Sequence, residues 1–356
     1  MLPAELYYIV YLIVLAVFTI IVCLFGEYLH KNHVVAAILC VAIILFIGLR
    51  PISGVFVDMW NYHTYFIFCK EHMLQPVPTI TTRNPIFAAI YSLFVITDWP
   101  EEYFYLIIAC IYFGCMFWAC YKLFPENTLI AFLVVLCAFS TFSYGTNGIK
   151  AGAAASIFLL AIAYYDKLWL SIIFAILSYG FHHAMSLVII AFIIVRFIKN
   201  PNYYFAFWLI CIVISALHIT WFQYLFAQFS DEGGAGYLMP DENGDHIYIT
   251  GFRLDFILYS SIPIVVYQLL NMQYKIKSER YIFIMNLYML INSVWMLCMY
   301  ANFTNRIAYL SWFILPIALV YPLLRLETIN NKTFYLNTIV IGHLAFTLFM
   351  NFVYNG

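Results

Sequence analysis

Long uncharged apolar stretches, separated by short polar breaks, dominate this chain. They cover residues 6–25, 34–49, 103–121, 127–145, 151–165, 168–195, 203–222, 256–274, 281–305, 307–324 and 333–354. An α-helix needs about 20 apolar residues to cross about 30 Å of hydrocarbon, so the pattern predicts an all-α polytopic membrane protein. One helix over 168–198 would be about 46 Å long, too long for one untilted crossing. Gly180-Phe181-His182-His183 lies near its centre, so two short helices meeting there are expected. The run from Asn84-Pro85 to the break at Asp98-Trp99-Pro100 would rise only about 21 Å. That length fits a re-entrant or interfacial segment at 84–97. The count comes to about 12 transmembrane helices in one integral domain over 1–356, with large loops at 51–83 and 223–252.

Composition narrows the class. Of 356 residues, 65% are hydrophobic and 9% charged, against about 45–50% and about 25% in soluble domains. So few charges cannot cover a soluble surface, which excludes a cytosolic enzyme and a disordered scaffold. The net charge of −1 offers no basic patch for nucleic acid. The nine cysteines are odd in number and form no CxxC, so neither a disulfide framework nor a zinc site is indicated. No metal and no cofactor are expected. The first apolar run has no Lys or Arg before it, which reads as a retained helix rather than a cleaved signal.

The charges carry the remaining information. With both termini outside, the positive-inside rule puts ten basic residues on the cytoplasmic side: Lys31, Lys122, Lys167, Arg196, Lys199, Lys275, Lys277, Arg280, Arg325 and Lys332. Arg50, Lys70, Arg83, Lys150, Arg253 and Arg306 oppose it on the outer side. Acids such as Asp231, Glu232, Asp241, Glu242 and Asp245 also fall outside. Any one exceptional cation is as easily an interface residue snorkelling to water. As a set they differ, because Lys150, Arg253 and Arg306 stand where apolar helices begin. Free N–H groups and the positive dipole end favour an anion there, and Arg adds bidentate hydrogen bonds to phosphate. Arg50, Lys150, Arg253 and Arg306 are therefore candidate ligands for a lipid diphosphate; Arg83 and Lys70 are weaker candidates in a polar loop.

His182 and His183 point about 100° apart on a helix and cannot share a metal as an i, i+4 pair could. Each is either an imidazole hydrogen-bonded between helices or a proton acceptor facing a polar cavity. Asp58 and Asp255 are either bases or orienting partners of the arginines near them. Gly148 and Gly152 form a GxxxG spacing that reads as close helix packing. Trp60, Tyr62 and Tyr65 could stack on sugar rings.

These features together resemble the EpsG family of exopolysaccharide proteins, relatives of the Wzy-type polysaccharide polymerases. An Arg ending the second span, then Gly-x-x-x-Asp and a Tyr, matches Arg50, Gly54, Asp58 and Tyr62. Asn147 and Lys150 match an Asn-x-x-Arg helix opening, with Lys in place of Arg. His182 or His183 with Ala184 and Ser186 matches a His-then-small-residue signature, and Asn305-Arg306 a late Asn-Arg pair. The resemblance implies a bacterial inner-membrane enzyme of GT-C-like fold, with its active site facing outward. It would join undecaprenyl-diphosphate-linked oligosaccharide repeat units, and a chain-length regulator is an expected partner. Arg50, Lys150, Arg253 and Arg306 would stabilise the diphosphate leaving group. His183, His182 or Asp58 would serve as base, and Asp255, Asn147 and Tyr62 would orient substrate. A glycan ligase, a flippase or transporter, and a membrane acyltransferase are the competing classes.

Overall fold

The computed structural model describes residues 2–26, 29, 31–72, 83–227, 251–327 and 329–354. Regular structure among them is helical throughout, with no strand. In chain order the helices are α1 (Tyr7–Phe25), α2 (His33–Gly48), α3 (Val57–Glu71), α4 (Pro85–Thr97), α5 (Glu101–Leu123), α6 (Thr128–Cys137), α7 (Phe139–Thr146), α8 (Ile149–Ala163) and α9 (Leu168–Phe181). They continue as α10 (Met185–Phe197), α11 (Pro201–Ala216), α12 (Phe222–Ala227), α13 (Leu254–Tyr274), α14 (Glu279–Leu297), α15 (Thr304–Trp312), α16 (Leu315–Arg325) and α17 (Lys332–Phe349). The chain forms two compact units, one of residues 1–182 with 323–356 and one of residues 183–322.

The protein is a polytopic all-α membrane protein, but not one of twelve full-length crossings. Among the described residues, six helical stretches are long and apolar enough to span: Ala4–Phe25, Glu101–Leu123, Leu254–Tyr274, Glu279–Leu297, Thr304–Arg325 and Lys332–Val353. The number rises to seven if the pair Pro125–Cys137 and Phe139–Thr146, bent by 75°, counts as one span. The other apolar helices, α2, α4, α8, α9, α10 and α11, have 13–16 residues. They rise only about 20–24 Å, short of the hydrocarbon core. The overcount has a plain cause: apolar composition runs on through points where helical geometry stops. The run 203–222 loses its helix at Ala216, where His218 turns left-handed at φ 59°. The run 127–145 breaks at Ala138, where the helices on either side are bent by 75°.

Two segments are short where the sequence pattern is short or broken. Helical geometry breaks at His182, which is extended at φ −150° and ψ 118°, between α9 and α10. Residues 85–97 form one short helix that opens on a proline and ends at left-handed Asp98. The expected loop 51–83 differs, because residues 57–71 are helical. Met59, Phe66 and Cys69 are buried and Tyr62 half-buried, at the 3–4-residue spacing of one helix face. The rest of that loop at 73–82 lies outside the described residues. So does 228–250, with the acids Asp231, Glu232, Asp241, Glu242 and Asp245.

In the first unit, the alanine-rich α8 packs against α5 and α9, and α2 packs against α5. Small residues let these backbones approach closely. At Gly152 a Cβ would collide with the carbonyl oxygen of Tyr144, and at Gly48 it would lie 2.9 Å from Leu106 Cα. The GxxxG spacing is thus partly accounted for by packing. The bend at Ala138 frees the last carbonyls of α6, and three hydroxyls take them up. Thr141 donates to Val135 at 2.7 Å, Tyr11 to Leu136 at 2.7 Å, and Thr347 to Cys137 at 2.7 Å. Away from water an unserved carbonyl is costly, so α1, α7 and α17 each supply one donor.

In the second unit, the buried α14 is packed by α11, α15 and α10. Asn292 on α14 accepts from Trp208 Nε1 at 2.8 Å and donates to Ser311 at 3.0 Å. Trp312 Nε1 donates to Ser260 at 2.8 Å, so the amphipathic rings hold the helices together through their polar tips.

Gly152→Leu should lower the thermal stability of the detergent-purified protein, by about 1–3 kcal/mol of overpacking. Thr347→Val should do so by about 1 kcal/mol. Gly114→Ala, where a Cβ meets open space, is expected not to lower the melting temperature. Light-scattering or fluorescence melting curves of the three variants check this.

Candidate functional site

The first unit holds a chain of linked polar side chains that starts at Arg50. This residue follows α2 by two positions, where that helix ends with unserved carbonyls. Its Nη1 donates to Ile47 O at 2.7 Å and its Nη2 to Thr146 O, at the end of α7, at 2.9 Å. The guanidinium lies 5.2 Å from the Phe56 ring centroid and 5.4 Å from that of Tyr105, within cation–π range. Only 1% of the residue is exposed, and its Nε has no partner among the described residues. Burial lowers its pKa to about 10, so it remains a cation at neutral pH.

Tyr105 continues the chain. Its hydroxyl donates to Glu101 Oε1 at 2.6 Å and also lies 3.0 Å from Met59 O. The other carboxylate oxygen of Glu101 is 2.6 Å from His63 Nδ1. Glu101 is 6% exposed, whereas the His63 side chain is 24% exposed. Arg50, Tyr105, Glu101 and His63 thus join the end of α2, the first turn of α5 and the middle of α3. Neither His63 nor Glu101 is among the residues expected from the sequence. Their signals were present: His63 lies beside the apolar stripe of α3, and Glu101 follows Pro100 in the first turn of a long helix. An acid in that position ordinarily reads as a partner for the helix dipole.

Other expected residues occupy the same unit. Asp58 is half-buried in the first turn of α3. The Tyr62 ring packs against Phe87 at 5.4 Å and Tyr91 at 6.2 Å, and its carbonyl accepts from the Tyr91 hydroxyl at 2.7 Å. Lys150, in the first turn of α8, has its Nζ 6.0 Å from the centre of that same Phe87 ring. Tyr62 and Lys150 thus both border the Phe87 ring. Asn147 follows α7 with a buried Oδ1 that has no partner among the described residues. His182 ends α9, its backbone N–H donating to Ser178 O at 3.0 Å. Lys70 pairs with Asp98, and Arg83, Trp60 and Tyr65 are exposed.

The second unit contains His183, Arg253, Asp255 and Arg306. Arg253 meets Asp255 through two hydrogen bonds, Nε to Oδ1 at 3.0 Å and Nη2 to Oδ2 at 2.7 Å. It also lies 4.3 Å from the Phe256 ring centroid. Asp255 thus holds the Arg253 guanidinium at two points. Arg306 is exposed, 5.0 Å from the Phe303 ring centroid, in the first turn of α15. The His183 carbonyl accepts from Ser186 N at 3.0 Å and Ser186 Oγ at 2.8 Å.

A cavity of about 380 Å³ opens in the first unit between Lys31, Glu126, Arg325, Glu327 and Lys332. It adjoins the start of α2, whereas Arg50 follows the end of that helix, so the cavity is not part of the Arg50 chain. Among the described residues, no three His, Cys, Asp or Glu gather as metal ligands.

No curated protein and no solved structure matches the chain. A family model does, over residues 33–356, which takes in nearly all the helices and every side chain described at the site. The chain belongs to the EpsG family, a family of Wzy-type, polymerase-like membrane proteins.

Proposed function

We propose that the protein is a polymerase of lipid-linked oligosaccharide repeat units in the bacterial inner membrane, working on its outer side. The observation that carries this reading is membership of the EpsG family over nearly the whole chain. The side-chain chemistry supports it. A polymerase transfers a growing glycan from a lipid diphosphate, here undecaprenyl diphosphate, to a hydroxyl of a second lipid-linked unit. As the C1–O bond breaks, negative charge grows on the leaving diphosphate, and a fixed cation nearby lowers that barrier. A GT-C-like architecture and a chain-length-regulating partner belong to the same reading.

Lys150, Arg253 and Arg306 are each proposed as diphosphate ligands. Lys150 and Arg306 stand in the first turn of a helix, where free N–H groups add to the attraction. Arg253 is held in a fixed orientation by Asp255. Arg50 has a different role in this reading. Two of its N–H groups are used on backbone carbonyls, so in this reading it positions the ends of α2 and α7. Asn147, with its buried carbonyl oxygen, and Tyr62 are proposed to orient substrate. The acceptor hydroxyl needs a base, for which His183, His182 and Asp58 are joined by His63.

Deleting the gene and analysing lipid-linked glycans by mass spectrometry tests the reading. Single repeat units should accumulate on the outer leaflet. Long, unattached chains would point to a ligase and inward-facing units to a flippase, and either result overturns the polymerase. Two substitutions separate the roles of the cations. Arg306→Ala should abolish polymer while the protein stays at its normal amount in the membrane, as measured by immunoblot and glycan gel. Arg50→Met should lower the amount itself, because two buried carbonyls lose their donor at about 1–3 kcal/mol.

A further inference from the structure

The pair formed by His63 and Glu101 has the arrangement of a base and its orienting acid. We propose that His63 is a catalytic residue, the base that takes the proton of the acceptor hydroxyl, and that Glu101 and Tyr105 are its positioning residues. This rests on the polymerase reading.

The geometry supplies three reasons. First, Nδ1 of His63 lies 2.6 Å from Glu101 Oε2, and because a carboxylate oxygen can only accept, the neutral imidazole beside it carries its hydrogen on Nδ1 and its lone pair on Nε2. Second, Glu101 is fixed at both oxygens, because Tyr105 donates to Oε1 at 2.6 Å. Tyr105 is itself held beneath the Arg50 guanidinium, which is anchored to two backbone carbonyls. The imidazole is therefore oriented by a chain of contacts that ends in the backbone. Third, the pair is closed at the carboxylate and open at the imidazole, with 6% and 24% exposure. The exposed ring of Trp60 lies 5.4 Å from that of His63 and gives a sugar an apolar surface beside the base.

The step balances without a further reagent. The acceptor hydroxyl gives its proton to His63 Nε2 as its oxygen bonds to C1 of the donor sugar. The bond between C1 and the phosphate oxygen breaks, and its electron pair leaves with the lipid diphosphate. The imidazolium then returns its proton to water. A positioned base of this kind is worth about 10²–10⁴ in rate.

The test uses the purified full-length protein in lipid nanodiscs, supplied with the repeat units that accumulate in the deletion strain. His63→Gln retains an N–H for Glu101 but has no basic nitrogen. Its kcat should fall by about 100-fold or more with KM within about twofold of the parent. Turnover within about threefold of the parent would overturn the proposal. His63→Ala should also be inactive and should recover turnover when imidazole is added, which a purely structural tie would not do. If His63→Gln fails to reach the membrane in normal amount, the imidazole arm decides: recovery upholds the proposal and no recovery overturns it. Failure of the polymerase reading looks different, since the unsubstituted protein would then make no polymer from these units.

Discussion

A cation cannot be left alone in a low-dielectric interior, and the surroundings of Arg50 are built around that constraint. Removing a guanidinium from water is expensive unless its donors are used. Arg50 finds acceptors that the fold already provides, the carbonyls of Ile47 and Thr146. Those carbonyls need a donor as much as the cation needs acceptors, because helix ends away from water have no solvent to turn to. One side chain therefore fixes the ends of α2 and α7 and also supplies a surface for the rings of Phe56 and Tyr105. Tyr105 in turn sets Glu101, and Glu101 sets His63.

The same constraint governs the uncharged polar residues. Where α6 bends away from α7, the carbonyls of Val135, Leu136 and Cys137 take hydroxyls from Thr141, Tyr11 and Thr347. Two of those donors are more than a hundred residues away in sequence. They recruit α1 and α17 to the core of the first unit through single hydrogen bonds. In the second unit Asn292, Ser260 and Ser311 do similar work for Trp208 and Trp312. Among the described residues, most buried polar side chains serve a backbone group or a neighbouring ring.

This explains which features could be read from the residue order. The membrane class, the break at His182 and the short helix after Asn84 depend on local patterns, and those patterns were legible. The number of full-length crossings was not, because Ala138 and His218 interrupt helices without interrupting hydrophobicity. Helix α3 was hidden by its polar residues, although Met59, Tyr62, Phe66 and Cys69 mark one face. Arg50 was conspicuous as a charge at the end of an apolar run. Its use was not visible, because Thr146 is 96 residues further on. The pair of His63 and Glu101, 38 residues apart, likewise has no local signature.

Availability therefore matters more than charge when reading such a chain for chemistry. By sign alone Arg50, Lys150, Arg253 and Arg306 are equivalent. By geometry they are not: one is committed to backbone carbonyls, one faces an aromatic ring, one is held by a carboxylate, and one is exposed. A cation held by Asp255 keeps its orientation but must share its donors with any incoming anion. An exposed cation such as Arg306 is reached from solvent and rests beside the Phe303 ring. An imidazole with one nitrogen held and its ring partly open combines both advantages, since its orientation is set before a substrate arrives. The most ordered chemistry in this protein lies where a buried charge is tied to the backbone and its contacts run outward from there, and His63 is the outer end of that sequence.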